Sequence, residues 1–444
     1  MGSANEDISV MVIGAGSGGR LIAQGLRKTG IPCTVFEQDE SLDQRARDWD
    51  FGIYWAQTPL DACLPADVRD RILTAQVDDV TPSADAFFPM FNAETGQVLH
   101  RVPTPYYLRL RRREFARVMG AGIDIRYGKR LVGIDATTSS SEPGGGGVTA
   151  TFADGTQHTA TVLVGAEGAH SPVREYLLGG DRGKVLRSPI VMAVVLSKLP
   201  VERARALREQ HHRVCSLFHP SGTMMWMGVH DAYGKGDDLA EVEYIFLCSW
   251  RQDQGPIELP DSGSIIRDIK RRAQAFAEPF CSVAAAIDEG RKAWANYLPY
   301  WPTQGWDGHP ARGKVTLAGD AAHPMTPHRG QGLNNAILDC DQFVKQVEAM
   351  PERSAAALRA AVERYEAEMV GRGNEAVLSS LENSLMVHDW DRLMQSHIVR
   401  VGVATQKVDK EGEGDKEKEK EKEKEKEKEQ GVADVGAAGG EVRV

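Results

Sequence analysis

The chain has 444 residues, 41% of them hydrophobic, and a formal net charge of -10. That length suggests two domains or one large composite, with enough apolar residue for a sizeable core. The acidic balance argues against a general nucleic-acid binder, which needs a basic surface.

Residues 1–7 are polar and acidic and lack the basic start and apolar stretch of a secretory signal. No apolar run approaches the ~20 residues that span a bilayer; the run at 190–196 is among the longest. The six cysteines, Cys33, Cys63, Cys215, Cys248, Cys281 and Cys340, form no C-x-x-C pair. They read as reduced thiols rather than as structural zinc or a disulfide framework. A soluble cytoplasmic protein without a membrane span or a metal site is expected.

Residues 8–13 form a short β-branched run, and Ser17–Thr29 is amphipathic with Gly30 placed as a helix C-cap. Between them stands Gly14-Ala15-Gly16-Ser17-Gly18-Gly19, with Gly14, Gly16 and Gly19 in the three places of G-x-G-x-x-G. The first glycine permits the tight turn, the second lets backbone approach a pyrophosphate, and the third lets helix and strand pack closely. The helix N-terminus offers N–H groups and a positive dipole end to phosphates. Residues 34–36 make the next strand, and Glu37 ends it, placed to accept from ribose hydroxyls. An acidic group there opposes a 2′-phosphate, so FAD or NAD fits better than NADP at this turn.

Residues 137–147 read as a flexible surface loop. Val148–Phe152 and residues 158–164 flank an Asp-Gly turn and predict a hairpin. Short buried-looking strands follow at 161–164 and 315–318, each ending at glycine. Between them, 190–196, 223–229 and 242–250 read as longer strands of one antiparallel sheet, a separate layer. Alternation puts Met225, Met227 and Val229 on one face of it and Met224, Trp226 and Gly228 on the other. Phe218, His219, Trp226, Tyr233 and Trp250 are candidate pocket aromatics, with ordinary core packing as the competing role. Residues 265–287 and 333–395 read as helical.

The stretch 318–334 carries Ala-Gly-Asp320-Ala-Ala-His323-Pro324, then Pro327, then Gly330-Gln331-Gly332-Leu333-Asn334. It is a strand ending in Gly-Asp, a proline-shaped loop, and a glycine-rich helix start. Asp320 can bond a ribityl hydroxyl, and the helix start near Gly332 can face a flavin carbonyl or phosphate. This long motif resembles that of the group A flavin monooxygenases, the para-hydroxybenzoate hydroxylase-like family, in the style of fungal members acting on secondary metabolites. The likeness runs from about Ile8 to Gln395 and excludes the tail. The family motif D-G-x-x-S-x-V-R reads here Glu167-Gly168-Ala169-His170-Ser171-Pro172-Val173-Arg174, departing from it by Glu for Asp. Arg112-Arg113-Glu114-Phe115 fits the family's flavin-contacting arginine pattern, with Arg109 as neighbour, although a solvated basic face fits the cluster too. Arg45 or Arg47 stands where the family has an arginine near the flavin or pyrophosphate, and a surface ion pair fits as well.

The resemblance implies an α/β fold, with a glutathione reductase-like Rossmann FAD-binding domain interleaved with an antiparallel-sheet substrate domain. The expected division is 1–180 for the first FAD-binding part with a substrate-domain insertion, 181–300 for the antiparallel-sheet substrate domain, 301–400 for the FAD-binding Gly-Asp motif and C-terminal helices, and 409–444 for a disordered Lys/Glu tail. It implies FAD, NADPH or NADH, and O2, with a flavin hydroperoxide hydroxylating or epoxidising a hydrophobic aromatic, polyene or terpenoid metabolite. His323 is weighed as an acid–base group against a structural loop histidine. A flavin halogenase lacks its W-x-W-x-I-P signature here, and a non-catalytic flavin-fold binder is the other alternative. In the tail, Lys and Glu alternate from Lys416 to Glu429, which sets attraction at i,i+3 against repulsion at i,i+4 and predicts disorder, with a solvated single helix as the alternative.

Overall fold

The computed structural model describes residues 8–44, 47–136 and 146–396. The charged tail, Arg45 and most of the predicted 137–147 loop lie outside these residues.

Five short strands make a parallel sheet in the order Val315–Leu317, Val162–Gly165, Val10–Ile13, Cys33–Phe36, Asp124–Arg126. The first three are buried along their whole length, as a sheet covered on both faces requires. Helix Ser17–Thr29 follows the first strand and ends at Gly30 in a left-handed conformation. It packs against helix Gly332–Glu348, where the Cys340 thiol donates to the Leu21 carbonyl at 3.0 Å.

The predicted hairpin is there, but its second strand is shorter than expected. Gln157–Ala160 pairs with Val148–Phe152, and Val162–Gly165 leaves to join the parallel sheet. The pattern changes at that point from part-exposed to fully buried, so one continuous run serves two sheets.

The second layer is a seven-stranded sheet ordered Ala293–Tyr300, Leu186–Lys198, Glu243–Arg251, Met224–Asp231, Val214–Phe218, Phe87–Asn92, Val98–Pro103. Every neighbouring pair is antiparallel except Val214–Phe218 with Phe87–Asn92. The three predicted strands are its centre, and its last two come from far earlier in the chain. Met225, Met227, Val229, Phe246 and Cys248 turn to one face and pack with Ile265, Ile266, Ile269 and Phe280. Each such buried side chain contributes about 1.5–3 kcal/mol of hydrophobic stabilisation. The predicted helical stretch 265–287 divides into Ser262–Ala273 and Phe280–Ala285 around Pro279.

On the other face, Phe218 and Met224 meet Val387 and Leu393 from the C-terminal helices Ala355–Val387 and Trp390–Gln395. That cover reaches one half of the sheet. Met192, Leu247 and Trp294, toward the other edge, stay half-exposed. A small antiparallel pair, Asp50–Ile53 with Leu108–Arg111, stands beside this open half. No described helix is long and apolar enough to cross a membrane.

Candidate active site

The glycine turn is built for close backbone approach. Gly14 has φ 100°, and a Cβ there would fall 2.6 Å from the Ala166 carbonyl oxygen. A Cβ on Gly19 would lie 1.9 Å from the Gly14 carbonyl oxygen. Gly16 caps helix Ser17–Thr29 without a side-chain hydrogen bond, and the first turn carries no acidic residue. The N–H groups of that turn therefore face open space exposed at Gly16.

Glu37 is held beside this turn by two backbone donors. Ala15 N–H donates to its Oε2 at 2.7 Å, and Asp39 N–H to its Oε1 at 3.0 Å. A carboxylate has about four lone-pair sites, so acceptor capacity remains for hydroxyl donors. Arg20 donates to the Ala15 carbonyl at 2.7 Å and to the Tyr127 hydroxyl at 3.0 Å. Arg20 and Tyr127, with Leu42, Arg117 and Ile125, line an open groove of about 410 Å³.

Farther along the cleft, Glu167 ends the strand Val162–Gly165. Its Oε1 accepts from Ser171 Oγ at 2.8 Å and Val173 N–H at 2.9 Å. Its Oε2 is buried without a hydrogen-bond partner among the described residues. Burial pushes this carboxyl above its usual range, with those two donors and Arg174 opposing. Arg174 itself is fully buried and donates to the Gly183 carbonyl at 2.6 Å and the Ala321 carbonyl at 2.8 Å. It ties the Glu-Gly segment to the Gly-Asp segment.

Asp320 is solvent-exposed. Partial desolvation by its neighbours raises its carboxyl above the ordinary value, with His323 lowering, Asp339 raising and Arg174 lowering it in turn. A Cβ on Gly332 would lie 3.8 Å from Asp320 Oδ1, so the carboxylate faces the start of helix Gly332–Glu348. This helix has no side-chain cap and no acid in its first turn.

His323 stands elsewhere. It is fully buried, with Nε2 at 2.7 Å from Asp339 Oδ2. Asp339 also accepts from Gly319 N–H at 2.6 Å and Arg372 at 2.8 Å. Burial would raise this carboxyl, but His323 and Arg372 hold it at about 2. The cluster pins the loop from behind. Leu333 is buried, and Asn334 spends its amide on the scaffold. Its Oδ1 accepts from Tyr54 N–H at 2.9 Å, and its Nδ2 donates to the carbonyls of Gly52 at 2.9 Å and Gly330 at 3.0 Å.

The arginines form a separate group. Arg109 is buried in an ion pair with Asp50 and lies 4.8 Å over the Trp226 ring. Asp50 also meets His230 Nδ1 at 3.1 Å. Burial alone would lower the His230 ring, but the Asp50 bond and the charges of Asp50, Asp48 and Glu243 raise it above the ordinary value. Arg112 lies 3.4 Å from Asp48 and 4.3 Å over Trp49. Arg47 is exposed, 5.7 Å from the Trp294 ring centre. Tyr54 stands near Arg109 and presses on Gly330, where a Cβ would lie 2.8 Å from its ring.

Of the candidate aromatics, Phe218 and Trp226 are on the cleft side of the sheet. Trp250 packs into the opposite face, His219 stacks on Phe276, and Tyr233 lies under Arg111. Tyr54, Asp50, His230, Ser249 and His328 were not singled out from sequence. None belongs to a spaced motif of its own, except His328, which sits inside the 318–334 stretch. Among the described residues, no group of three His, Cys, Asp or Glu side chains is placed to hold a metal ion.

Residues 116–380 match the family described as FAD binding domain. The chain is 46% identical over 398 residues to the FAD-dependent monooxygenase cctM of Talaromyces islandicus, covering 89% of this chain and 96% of that one. It is 32% identical over 396 residues to the FAD-dependent monooxygenase phnB of Penicillium herquei, covering 88% and 94%. In fold it resembles Klebsiella pneumoniae HpxO, solved with FAD and uric acid, with TM-score 0.69 at 19% identity over 89% of this chain and 93% of that one.

Proposed function

Because this chain belongs to the family of FAD-dependent monooxygenases, we propose that it holds FAD in one continuous path from the glycine turn and Glu37 to the open half of the sheet. The residues fit the group. Gly14, Gly16 and Gly19 would hold the pyrophosphate on bare backbone, and Glu37 the ribose hydroxyls. Asp320 and Glu167 would meet the ribityl chain, and Gly330, Gly332 and Leu333 the ring. The observation that carries this reading is a pair of uncapped helix starts with an exposed carboxylate, Asp320, facing the second of them.

When bound, FAD supplies the redox chemistry, taking a hydride from NADPH or NADH and passing one oxygen atom of O2 to the substrate while the other leaves as water. The chain's own task is to orient and to exclude water. Asn334 locks residues 52–54 to the helix start. His323 serves as a loop anchor rather than as an acid or base, because Asp339 engages it away from the cleft. Arg109 and Arg112 act through Asp50 and Asp48 to set the wall beside the ring, and Arg47 sits at the rim.

The substrate lies on the half-exposed apolar bed of Met192, Trp226, Leu247 and Trp294. That lining suits a hydrophobic aromatic, polyene or terpenoid metabolite, hydroxylated or epoxidised there. All six cysteines are free thiols, which supports a cytoplasmic setting. The test is a visible spectrum of the purified chain before and after anaerobic NADPH, then NADPH-dependent O2 uptake over a panel of aromatic and polyene compounds. Flavin bands bleached by NADPH, with a one-oxygen mass gain in a substrate, are expected. A chain that takes up no FAD overturns the reading.

A further inference from the structure

Four polar side chains from three elements meet behind the loop that carries Pro327. His328 Nε2 lies 3.1 Å from Ser249 Oγ, and His388 Nε2 lies 2.8 Å from the same oxygen. His328 Nδ1 lies 2.7 Å from Ser384 Oγ, and His388 Nδ1 lies 2.6 Å from the Ser384 carbonyl. Ser249 belongs to the central strand Glu243–Arg251, His328 to the loop, and Ser384 and His388 to the end of helix Ala355–Val387. Ser249 and Ser384 are fully buried, and the two rings meet edge to face at 4.9 Å.

Hydrogen counting decides the direction of every bond. A carbonyl only accepts, so His388 carries its hydrogen on Nδ1 and its Nε2 is an acceptor. Ser249 must then donate to His388, which leaves its oxygen to accept from His328 Nε2–H. His328 Nδ1 is thereby an acceptor. The single Ser384 hydroxyl hydrogen has two obligate acceptors in reach, His328 Nδ1 at 2.7 Å and the Ser380 carbonyl at 3.0 Å, while Thr326 Oγ1 at 2.7 Å can donate in return. It goes to the nearer His328 Nδ1, because with neutral rings no other arrangement supplies all four ring nitrogens. Burial favours neutral rings: it pushes His388 down to about 4 and His328 well below the ordinary value, with His388 also discouraging charge on His328.

We propose that Ser249, His328, His388 and Ser384 form a one-directional hydrogen-bond circuit that fixes the His328 tautomer and so locks the 326–329 loop to the substrate-side sheet. These are positioning residues. They act on the ring-facing segment Gly330–Leu333 through the loop that precedes it, an inference that rests on the cofactor path proposed above. The physical need is plain: the loop and the sheet belong to different layers, and the relative placement of ring and substrate depends on the joint between them.

The test uses the full chain loaded with FAD and labelled with [15N]histidine. At pH 7 the nitrogen spectrum should show His328 as the Nε2–H tautomer and His388 as the Nδ1–H tautomer, assigned with His328→Gln and His388→Asn. Ser249→Ala should shift the His328 signals, change the visible circular dichroism of the bound flavin, and weaken FAD binding about 5-fold, the size of one net hydrogen bond. Cys248→Ala, on the opposite face of the same strand, should lower thermal stability and leave both flavin readouts unchanged. A doubly protonated His328, the opposite tautomer in either ring, or equal flavin perturbation by Cys248→Ala would overturn the circuit. Wild-type chain that fails to take up FAD would instead overturn the cofactor path, so the two failures are distinct.

Discussion

At the nucleotide end of the cleft, Gly14, Gly18, Gly19 and Gly319 bring backbone within a Cβ's reach of backbone. At the sheet end, Arg109 meets Asp50, Asp50 meets His230, and Ser249 meets two histidines, side chain against side chain. In the proposed cofactor path, the first region would hold its ligand with main-chain N–H groups and two carboxylates. The second arranges its residues for one another. Function at the nucleotide end should thus depend on the absence of atoms, and function at the sheet end on the matching of charges and hydrogens.

The most severe way to break the contrast is Gly19→Ala. Its methyl would collide with the Gly14 carbonyl, which costs at least ~3 kcal/mol and should abolish FAD uptake. The ratio of flavin to protein absorbance checks this, and a yellow, stable variant would show that the turn yields. Next is Asp50→Asn at the sheet end, which leaves Arg109 buried without a counter-charge. A loss of about 3–5 kcal/mol in chemical denaturation is expected, with FAD affinity nearly unchanged. The pH dependence has a definite sign. His230 is raised in the folded chain, so its pairing with Asp50 stabilises fully below 6.5 and fades as pH climbs through the raised value. The gap between wild type and Asp50→Asn should narrow with rising pH without closing, because Arg109 stays charged.

Glu366 offers the opposite sign behind the cleft. It is buried against Trp306, whose Nε1–H donates to it at 3.3 Å, and burial raises it from 4.5 to about 7. Ionising it costs the folded state more than the unfolded one, so wild-type stability falls as pH rises from 4.5 through about 7. Glu366→Gln keeps the acceptor and should gain up to ~3 kcal/mol at pH 8, and nothing at pH 4. Thermal melts at the two pH values decide it. Asp320→Ala should weaken FAD binding roughly 10- to 100-fold, the loss of a charge-assisted hydrogen bond, with little change in melting of the flavin-free chain. The smallest effect is expected for Glu167→Asp, which restores the family's residue: FAD affinity should change by less than about 3-fold, because Ser171 and Val173 hold the carboxylate from the helix side. A larger change would mean that the position of the Glu167 carboxylate matters to the cofactor's grip.

Read in residues, the legible part of this protein is the part made of glycine, proline and buried β-branched runs. Gly14, Gly16, Gly19, Glu37, Asp320 and the Gly330–Asn334 helix start follow one another at spacings that suit a strand–turn–helix, and the structure places the first glycines at one helix start and Asp320 facing the other, with Leu333 and Asn334 buried. Backbone geometry is local, so a local pattern suffices to state it. The arginines show the limit. Arg109 and Arg112 sit three residues apart in one basic cluster, yet Arg109 turns inward to Asp50 and Trp226 while Arg112 reaches Asp48 and Trp49. Likewise alternation separated Met225 from Trp226 without saying which face was the cleft; the helices 262–273 and 280–285 decided that by covering the first. The joint of Ser249, His328 and His388 joins residues 79 and 139 positions apart. Sequence alone determined the nucleotide turn, the family and the layers, because each is set by short-range backbone demands. Tertiary structure alone decided which side chains pair at the sheet end, because burial, charge and hydrogen count act between segments that only the finished packing brings together.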